Sequence, residues 1–400
     1  MKYPFYRIPA GVNIPSLLEI AGYSELCKPL LLDKLHSIVD LLYSRRLNYN
    51  EEKRNEFISL HSQILAKNYT CQRYTLYLEA LIAIGIVECD NVWRRKDRAK
   101  GFRIAPSLCE AEFEKVSVFD LKLHQKVTQH REAESKKLIA NHAGVAQIAR
   151  SLENVKFDYE SALSFIESPG NKYSPEGLQY RKAVCDRLLY DPIYIIRDDQ
   201  GRLYHNFTLL PRDLRQFVRW GDNLDHLFIS DIGSSQPCFL MKFARDENFI
   251  EQLEKNEHYS LTNSKLRKPY DFNDPKQKDS FKKKYCSGFL FCDRNREGKV
   301  GEVIWKQFPE VFEAVRALKS RKASDLSTLL QKTESEVVID GAGIEFATRF
   351  PSACLISLHD GLITTESHLE PLYEIMKRHT SIALNFNVPV KTSKFSTAAS

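Results

Sequence analysis

Two aspartates stand at the ends of apolar runs. They are Asp231 in Leu227-Phe-Ile-Ser-Asp231-Ile-Gly-Ser-Ser-Gln-Pro237 and Asp360 in Leu355-Ile-Ser-Leu-His-Asp360-Gly-Leu-Ile-Thr-Thr365. Each run reads as a short strand that breaks at the carboxylate into small or turn-forming residues. Brought together on neighbouring strands, the two carboxylates could hold two divalent cations, Mg2+ or Mn2+. A pair of such ions about 4 Å apart clamps the attacking and leaving oxygens of phosphoryl transfer, because hard cations prefer carboxylate and phosphate oxygens. Strand-end aspartates are also common as turn residues and helix caps, so the pair takes its meaning from the elements around it.

Those elements are legible as patterns. His359-Asp360-Gly361 lies between the apolar runs Ala353 to Leu358 and Leu362 to Ile363, which predicts a hairpin with Asp360 at its turn. Leu369, Leu372, Ile375 and Met376 then recur at helical spacing. Ile382, Leu384, Phe386, Val388 and Val390 alternate, which predicts a strand with one buried face. Helices on one face of a small antiparallel sheet make an α+β arrangement. Between the two aspartates lies a basic stretch with Lys265, Arg267, Lys268, Lys276, Lys278, Lys282, Lys283, Lys284, Arg294, Arg296 and Lys299, interleaved with Tyr270, Tyr285, Phe289 and Phe291. Cations among rings suit a phosphate-bearing, base-bearing ligand; a solvated charged loop is the competing reading.

At 400 residues the chain has room for two or three cores. Its 43% hydrophobic and 28% charged residues exclude a disordered or membrane-embedded chain. No run of about 18 apolar residues and no charged-then-apolar leader is present, so neither a spanning helix nor a secretory signal is expected and the cytoplasm is the expected compartment. The nine cysteines are scattered without Cys-x-x-Cys or zinc spacing, and read as buried thiols. A net charge of +6 permits a polyanionic partner without implying one.

In the N-terminal third, Glu56 to Ala66 and Thr70 to Ile84 read as two helices, the second ended by Gly85. Two strand candidates follow, Ile86 to Cys89 and Gly101 to Ala105, bracketing Trp93-Arg-Arg-Lys-Asp-Arg-Ala-Lys100. Helix, helix and basic hairpin resemble a winged helix-turn-helix, with Arg73, Arg94, Arg95, Lys96, Arg98, Lys100 and Arg103 as candidate DNA contacts. A hairpin that packs on a neighbour or binds protein is the alternative. Residues from Pro106 to about Tyr190 read as charged helices forming a thumb-like connector. There His124, His130 and His142 are not spaced as ligands and read as surface residues.

The order of motifs in the second half resembles family A DNA polymerases. Gly201-Arg202-Leu203, Pro211, Asp231 with Ser235-Gln236, Leu330-Gln331-Lys-Thr-Glu-Ser-Glu336, His359-Asp360 and Asn385-Phe-Asn-Val-Pro-Val390 follow that family's sequence of motifs over about half the chain. His359-Asp360-Gly-Leu-Ile-Thr is also similar to the His-Asp turn of single-subunit RNA polymerases. Small replication polymerases of mobile elements and phages look like the nearest relatives.

The resemblance implies a right-hand polymerase palm over residues 195–400 with a fingers insert at about 261–324, after a winged-helix domain at 1–106 and a helical connector at 107–194. It implies Asp231 and Asp360 as catalytic metal ligands and Lys283, Phe291 and Gln236 as nucleotide contacts. Arg202, His205, Gln331 and His359 would line the template-primer groove. The expected activity is DNA-directed nucleotidyl transfer, with template-primer DNA and nucleoside triphosphates as partners, other replication proteins beside them, and no membrane. An RNA polymerase or primase, or a DNA-binding initiator with an inactive palm, are the alternatives. Three departures bear on it. The family's Asp-Tyr-Ser-Gln-Ile-Glu is replaced by Asp231-Ile-Gly-Ser-Ser-Gln-Pro, the fingers helix lacks the family's arginine and Tyr-Gly ending, and Gly361 stands where DNA polymerases have glutamate. The choice of sugar is left open by these changes.

Overall fold

The computed structural model describes residues 4–46, 56–60, 65, 73–92, 99–109, 111–191, 193–293, 298–319 and 322–396. They divide into two compact units. One holds residues 1–136, 157–194 and 209–211; the other holds 137–156, 195–208 and 212–400. The predicted connector is thus shared, with residues 137–156 grouped with the half that carries the two aspartates. Among the described residues no helix is long and apolar enough to cross a membrane.

In the first unit, strand β1 (Phe5–Pro9), helix α1 (Pro29–Arg46), strand β2 (Ile58–Ser59), helix α2 (Tyr74–Ala83) and strands β3 (Val87–Cys89), β4 (Gly101–Ile104) and β5 (Phe113–Ser117) surround one apolar core. Leu35, Ile38 and Leu42 of α1 meet Leu78 and Leu81 of α2 there. The predicted helix at 56–66 is corrected in part: Ile58 and Ser59 form a strand paired with Phe102 and Gly101. The buried partner Phe102 outweighs the helical spacing. Strands β2, β4 and β3 form an antiparallel sheet in that order. Arg94, Arg95, Lys96 and Arg98 lie outside the described residues.

The second unit is built on a four-stranded antiparallel sheet. Ahead of it in the chain come helix α3 (Ala143–Glu153) and the paired strands β6 (Ile195–Arg197) and β7 (Leu203–His205). The sheet itself contains β8 (Leu227–Ile232), β9 (Ile356–Leu358), β10 (Gly361–Thr365) and β11 (Val390–Lys394), ordered β9-β10-β8-β11. Between β8 and β9 lie helices α4 (Ser235–Leu240), α5 (His258–Ser264), α6 (Pro275–Tyr285), α7 (Lys299–Gln307) and α8 (Ala323–Val337); α9 (Leu369–Leu384) joins β10 to β11. Leu372, Ile375, Met376 and Leu384 of α9 are buried with Leu227, Ile229, Ile356, Leu362 and Ile363 of the strands. Each such side chain contributes about 1.5–3 kcal/mol by leaving water.

The strand predicted from Ile382 onward is corrected here. The helix runs on to Leu384 and stops at Asn385, whose left-handed backbone (φ 57°) is tolerated by its short polar side chain. The strand begins only at Val390. Helical burial of Ile375, Met376, Thr380 and Leu384 at three- and four-residue spacing wins over the alternation that begins at Ile382. A second correction concerns the basic insert. Phe281, Tyr285 and Phe289 are fully buried, packed edge to face with Tyr259 or with each other, so these rings are core and not stacking platforms.

Candidate active site

The register of the sheet puts the two aspartates together. β10 pairs with β8 so that Gly361 faces Asp231, and Asp360 precedes it in the two-residue turn between Leu358 and Gly361. His359, the other turn residue, has a left-handed backbone (φ 53°) and is exposed at the tip. Gly361 is dictated by packing. A Cβ there would lie 2.8 Å from Ile229 Cδ1 and 3.0 Å from the Ser230 carbonyl oxygen. The glycine that replaces the expected glutamate therefore follows from how closely the hairpin approaches β8. Helix α3 anchors the incoming strand: Gln147 Nε2 donates to the carbonyls of Phe350 (2.8 Å) and Ala353 (2.7 Å), and Ser151 Oγ accepts from the Leu355 N–H at 2.9 Å.

The two carboxyls share a hydrogen bond, and their environment resists full ionisation. Asp231 is pushed up to about 6, chiefly by burial, against the opposing pull of Lys391, the Ile232 N–H and Lys282. Asp360 is held well above the usual carboxylate range by burial and by the charges of Asp231 and Glu334. At neutral pH the pair therefore retains a proton between them until a cation compensates the charge.

A third carboxylate, Glu334 of α8, lies beneath this pair and is 1% exposed. It accepts from Arg202 Nη2 at 2.7 Å, Ser235 Oγ at 2.5 Å and Gln236 Nε2 at 2.6 Å. Three donors saturate it, so it acts as a hub that fixes Arg202 and the start of α4. The chain reaches α4 through Gly233, whose N–H donates to the Pro389 carbonyl at 2.7 Å, and Ser234 in the left-handed region (φ 57°).

Cations complete the site. Lys391 faces Asp231 across the β8–β11 pair. Its ammonium is lowered from the ordinary lysine range by burial first, then by the like charges of Lys282 and Lys278, which stand one helical turn apart on α6. Two carboxylates beside three mutually repelling ammonium groups form a receptor for a cation and a polyanion together. No protein-family model matches this sequence, and no curated protein matches it. In overall structure the chain is similar to the POL domain of Pol1 from M. smegmatis in complex with DNA primer-template and dNTP, at 14% identity and a TM-score of 0.49, over 70% of this chain and 74% of that one.

The predicted residues fall in several places. Asp231, Asp360, Arg202 and Gln236 are gathered at the site. Gln331 is half-buried on α8, three residues before Glu334. His205 is corrected: it is 1% exposed with Nε2 2.8 Å from the Ser357 carbonyl oxygen, a core residue behind β9 that no strand of DNA can reach. Burial lowers its ring to about 4. Lys283 is exposed on α6, and Lys282 beside it is the lysine whose charge acts on Asp231. Phe291 is half-buried after a π-helical turn, Cys286–Leu290. Of the wing candidates, Arg73 and Lys100 are exposed, whereas Arg103 is engaged by Glu88 at 2.7 Å and lies 4.4 Å from the Phe57 ring centre. His142 is not a surface residue: its Nε2 is 2.7 Å from Asp340 Oδ1, and Arg197 Nη2 donates to Asp340 Oδ2 at 2.6 Å.

Ser235 and Lys282 were named from sequence only within the motif after Asp231 and the basic stretch, and Glu334 and Lys391 were missed as site residues. Their signal was present only as ordinary helix and strand positions, since their partners lie 98 to 132 residues away for Glu334 and on a different strand for Lys391.

Proposed function

We propose that this chain is a template-directed nucleic-acid polymerase that transfers a nucleotide from a deoxynucleoside triphosphate to a 3'-hydroxyl. The observation that carries the reading is the Asp231–Asp360 pair on adjoining strands, hydrogen-bonded and held partly protonated by burial. Hard oxygen donors with unneutralised charge fit Mg2+ or Mn2+. Among the described residues no cluster of three or more histidine, cysteine or acidic side chains could form a complete metal cage. A two-carboxylate site suits Mg2+, which keeps water and substrate phosphate oxygens in its shell.

Asp231 and Asp360 would hold the metal, which when bound supplies acidification of the 3'-hydroxyl and charge neutralisation of the triphosphate. Lys391, Lys282 and Lys278 hold the triphosphate and stabilise the charge on the departing pyrophosphate. Arg202, fixed by Glu334, places a positive charge near Asp360. Gln236, fixed by the same carboxylate, sets the start of α4 next to the primer end. The exposed cations of the first unit, Arg73 and Lys100, would add sequence-independent phosphate contacts. Replication of a mobile element or phage genome in the cytoplasm, alongside other replication proteins, is the role that the motif order supports.

The test is extension of a labelled DNA primer on a DNA template with Mg2+, with deoxy- and ribonucleotides in parallel. Template-dependent extension that disappears in Asp231→Asn and in Asp360→Asn is expected, with deoxynucleotides preferred. No extension under any pairing, with DNA binding unchanged by either substitution, would leave a DNA-binding initiator as the function.

A further inference from the structure

The far flank of α6 borders a second basic concavity. Along this helix Lys278 and Lys282 share one side and face Lys391, whereas Phe281 and Tyr285 are buried. Gln277 and Lys284 project from the opposite flank, about 130° round the axis from the Lys278/Lys282 side at 100° per residue. There they line a cavity of about 810 Å³ together with Arg267, Lys268, Tyr270 and Lys299. That volume falls in the range of sites that enclose a whole small ligand.

The frame of the cavity is fixed. The buried Asn263 clamps the loop before α6, its Nδ2 donating to the Tyr270 carbonyl and its Oδ1 accepting from the Tyr270 N–H, both at 2.8 Å. Gln277 Oε1 accepts from the Asp271 N–H at 3.0 Å. On the other wall Gly298 donates its N–H to the Gly288 carbonyl at 2.9 Å, and a Cβ on Gly288 would lie 3.8 Å from Gly298 Cα. This bond joins the π-helical turn to the start of α7 backbone to backbone. Helix α7 has no side-chain cap at its N-terminus, and its first residues line the cavity.

Among the described residues that line this space four are cations and none is acidic. Lys284 lies 5.2 Å from the centre of the Tyr270 ring, which leaves a ring and an ammonium side by side. Cations around a braced cavity, with a ring in its wall, match a ligand that carries phosphate and a planar base.

We propose that this cavity is a second phosphate-binding site, separate from the Asp231–Asp360 centre, which takes either a free nucleoside polyphosphate or the backbone of a single-stranded nucleic acid. It stands whether or not the polymerase assignment holds, because binding needs neither aspartate nor metal. The test uses the full chain in EDTA with two photoreactive probes, an azido-adenosine triphosphate and a thiothymidine-containing oligonucleotide, with cross-links mapped by mass spectrometry. Both probes are applied to wild type, to Lys268→Ala/Lys284→Ala, and to Lys276→Ala/Lys306→Ala, which removes the same charge from exposed positions elsewhere on α6 and α7. Cross-links in residues 266–270 or 284–288 that fall tenfold or more in the first variant and persist in the second are expected. The probe that labels there identifies the source of the phosphate. Labelling by neither probe in these segments, or labelling equal in all three proteins, overturns the proposal. Unchanged melting temperatures of both variants establish that the loss is one of binding.

Discussion

Replacing Asp231 by asparagine should stabilise the metal-free protein, by an amount that grows from about pH 4 and is complete above about pH 6. A carboxyl whose folded pKa lies above its unfolded value binds protons more tightly when folded, so folding becomes less favourable as pH rises through that interval. For Asp231 the interval runs from 3.8 to about 6. At about 1.4 kcal/mol per pH unit this is about 3 kcal/mol, reduced to about 2 kcal/mol for the solvent that still reaches the side chain. Asparagine keeps the shape and cannot ionise, so it removes the penalty. In a unit of this size the melting temperature should rise by about 4–8 °C at pH 8, with only a small rise at pH 4, where the folded carboxyl is protonated and the unfolded one has only partly lost its proton. Mg2+ should raise the melting temperature of the wild type at pH 8 and leave Asp231→Asn nearly unmoved, since a ligand stabilises only the state that binds it. Thermal unfolding followed by circular dichroism at pH 4 and pH 8, in EDTA and in Mg2+, reads all four conditions. A variant no more stable than wild type at pH 8, or equally stabilised at both pH values, would refute the picture of an electrostatically frustrated pair.

Three further outcomes follow from the same geometry. Glu334→Gln exchanges the charge that binds Arg202, Ser235 and Gln236 for an amide that cannot accept from all three, and should cost about 2–3 kcal/mol; a loss below about 0.5 kcal/mol in urea unfolding would show that the hub is dispensable. Gly361→Ala drives a methyl to 3.0 Å from the Ser230 carbonyl oxygen, a backbone atom with little room to move, and should cost about 1–3 kcal/mol with weaker Mg2+ stabilisation, whereas an unaltered melting curve would mean that the hairpin sits less closely than described. Lys391→Ala and Lys282→Ala should each raise the nucleotide KM about tenfold in primer extension, with Lys283→Ala near wild type. The reverse ranking of Lys282 and Lys283 would place the other side of α6 toward the nucleotide.

Much of this was legible in the chain because it is encoded locally. The apolar runs before Asp231 and around Asp360 are strands since nothing else buries them, and the two-residue turn at His359-Asp360 is written in Gly361 and the flanking alternation. The order of the motifs carried the polymerase reading. Local pattern failed where two periods overlapped. Ile382 and Leu384 fit both the strand that was expected and the helix that forms, and the choice rests on what α9 buries.

What only the tertiary structure decided is which charges meet. Glu334 gave no sign of being a hub until folding brought Arg202 and Ser235 to it. His205 looked available until β9 closed over it, and Lys282 could not be told from Lys283 until α6 was docked on its buried aromatic side. The physical reason is common to all three. Composition and periodicity determine which side chains leave water, since burial is a local and additive driving force. The partners of a carboxylate or an ammonium are set by register and by packing between distant segments, and no local pattern records them.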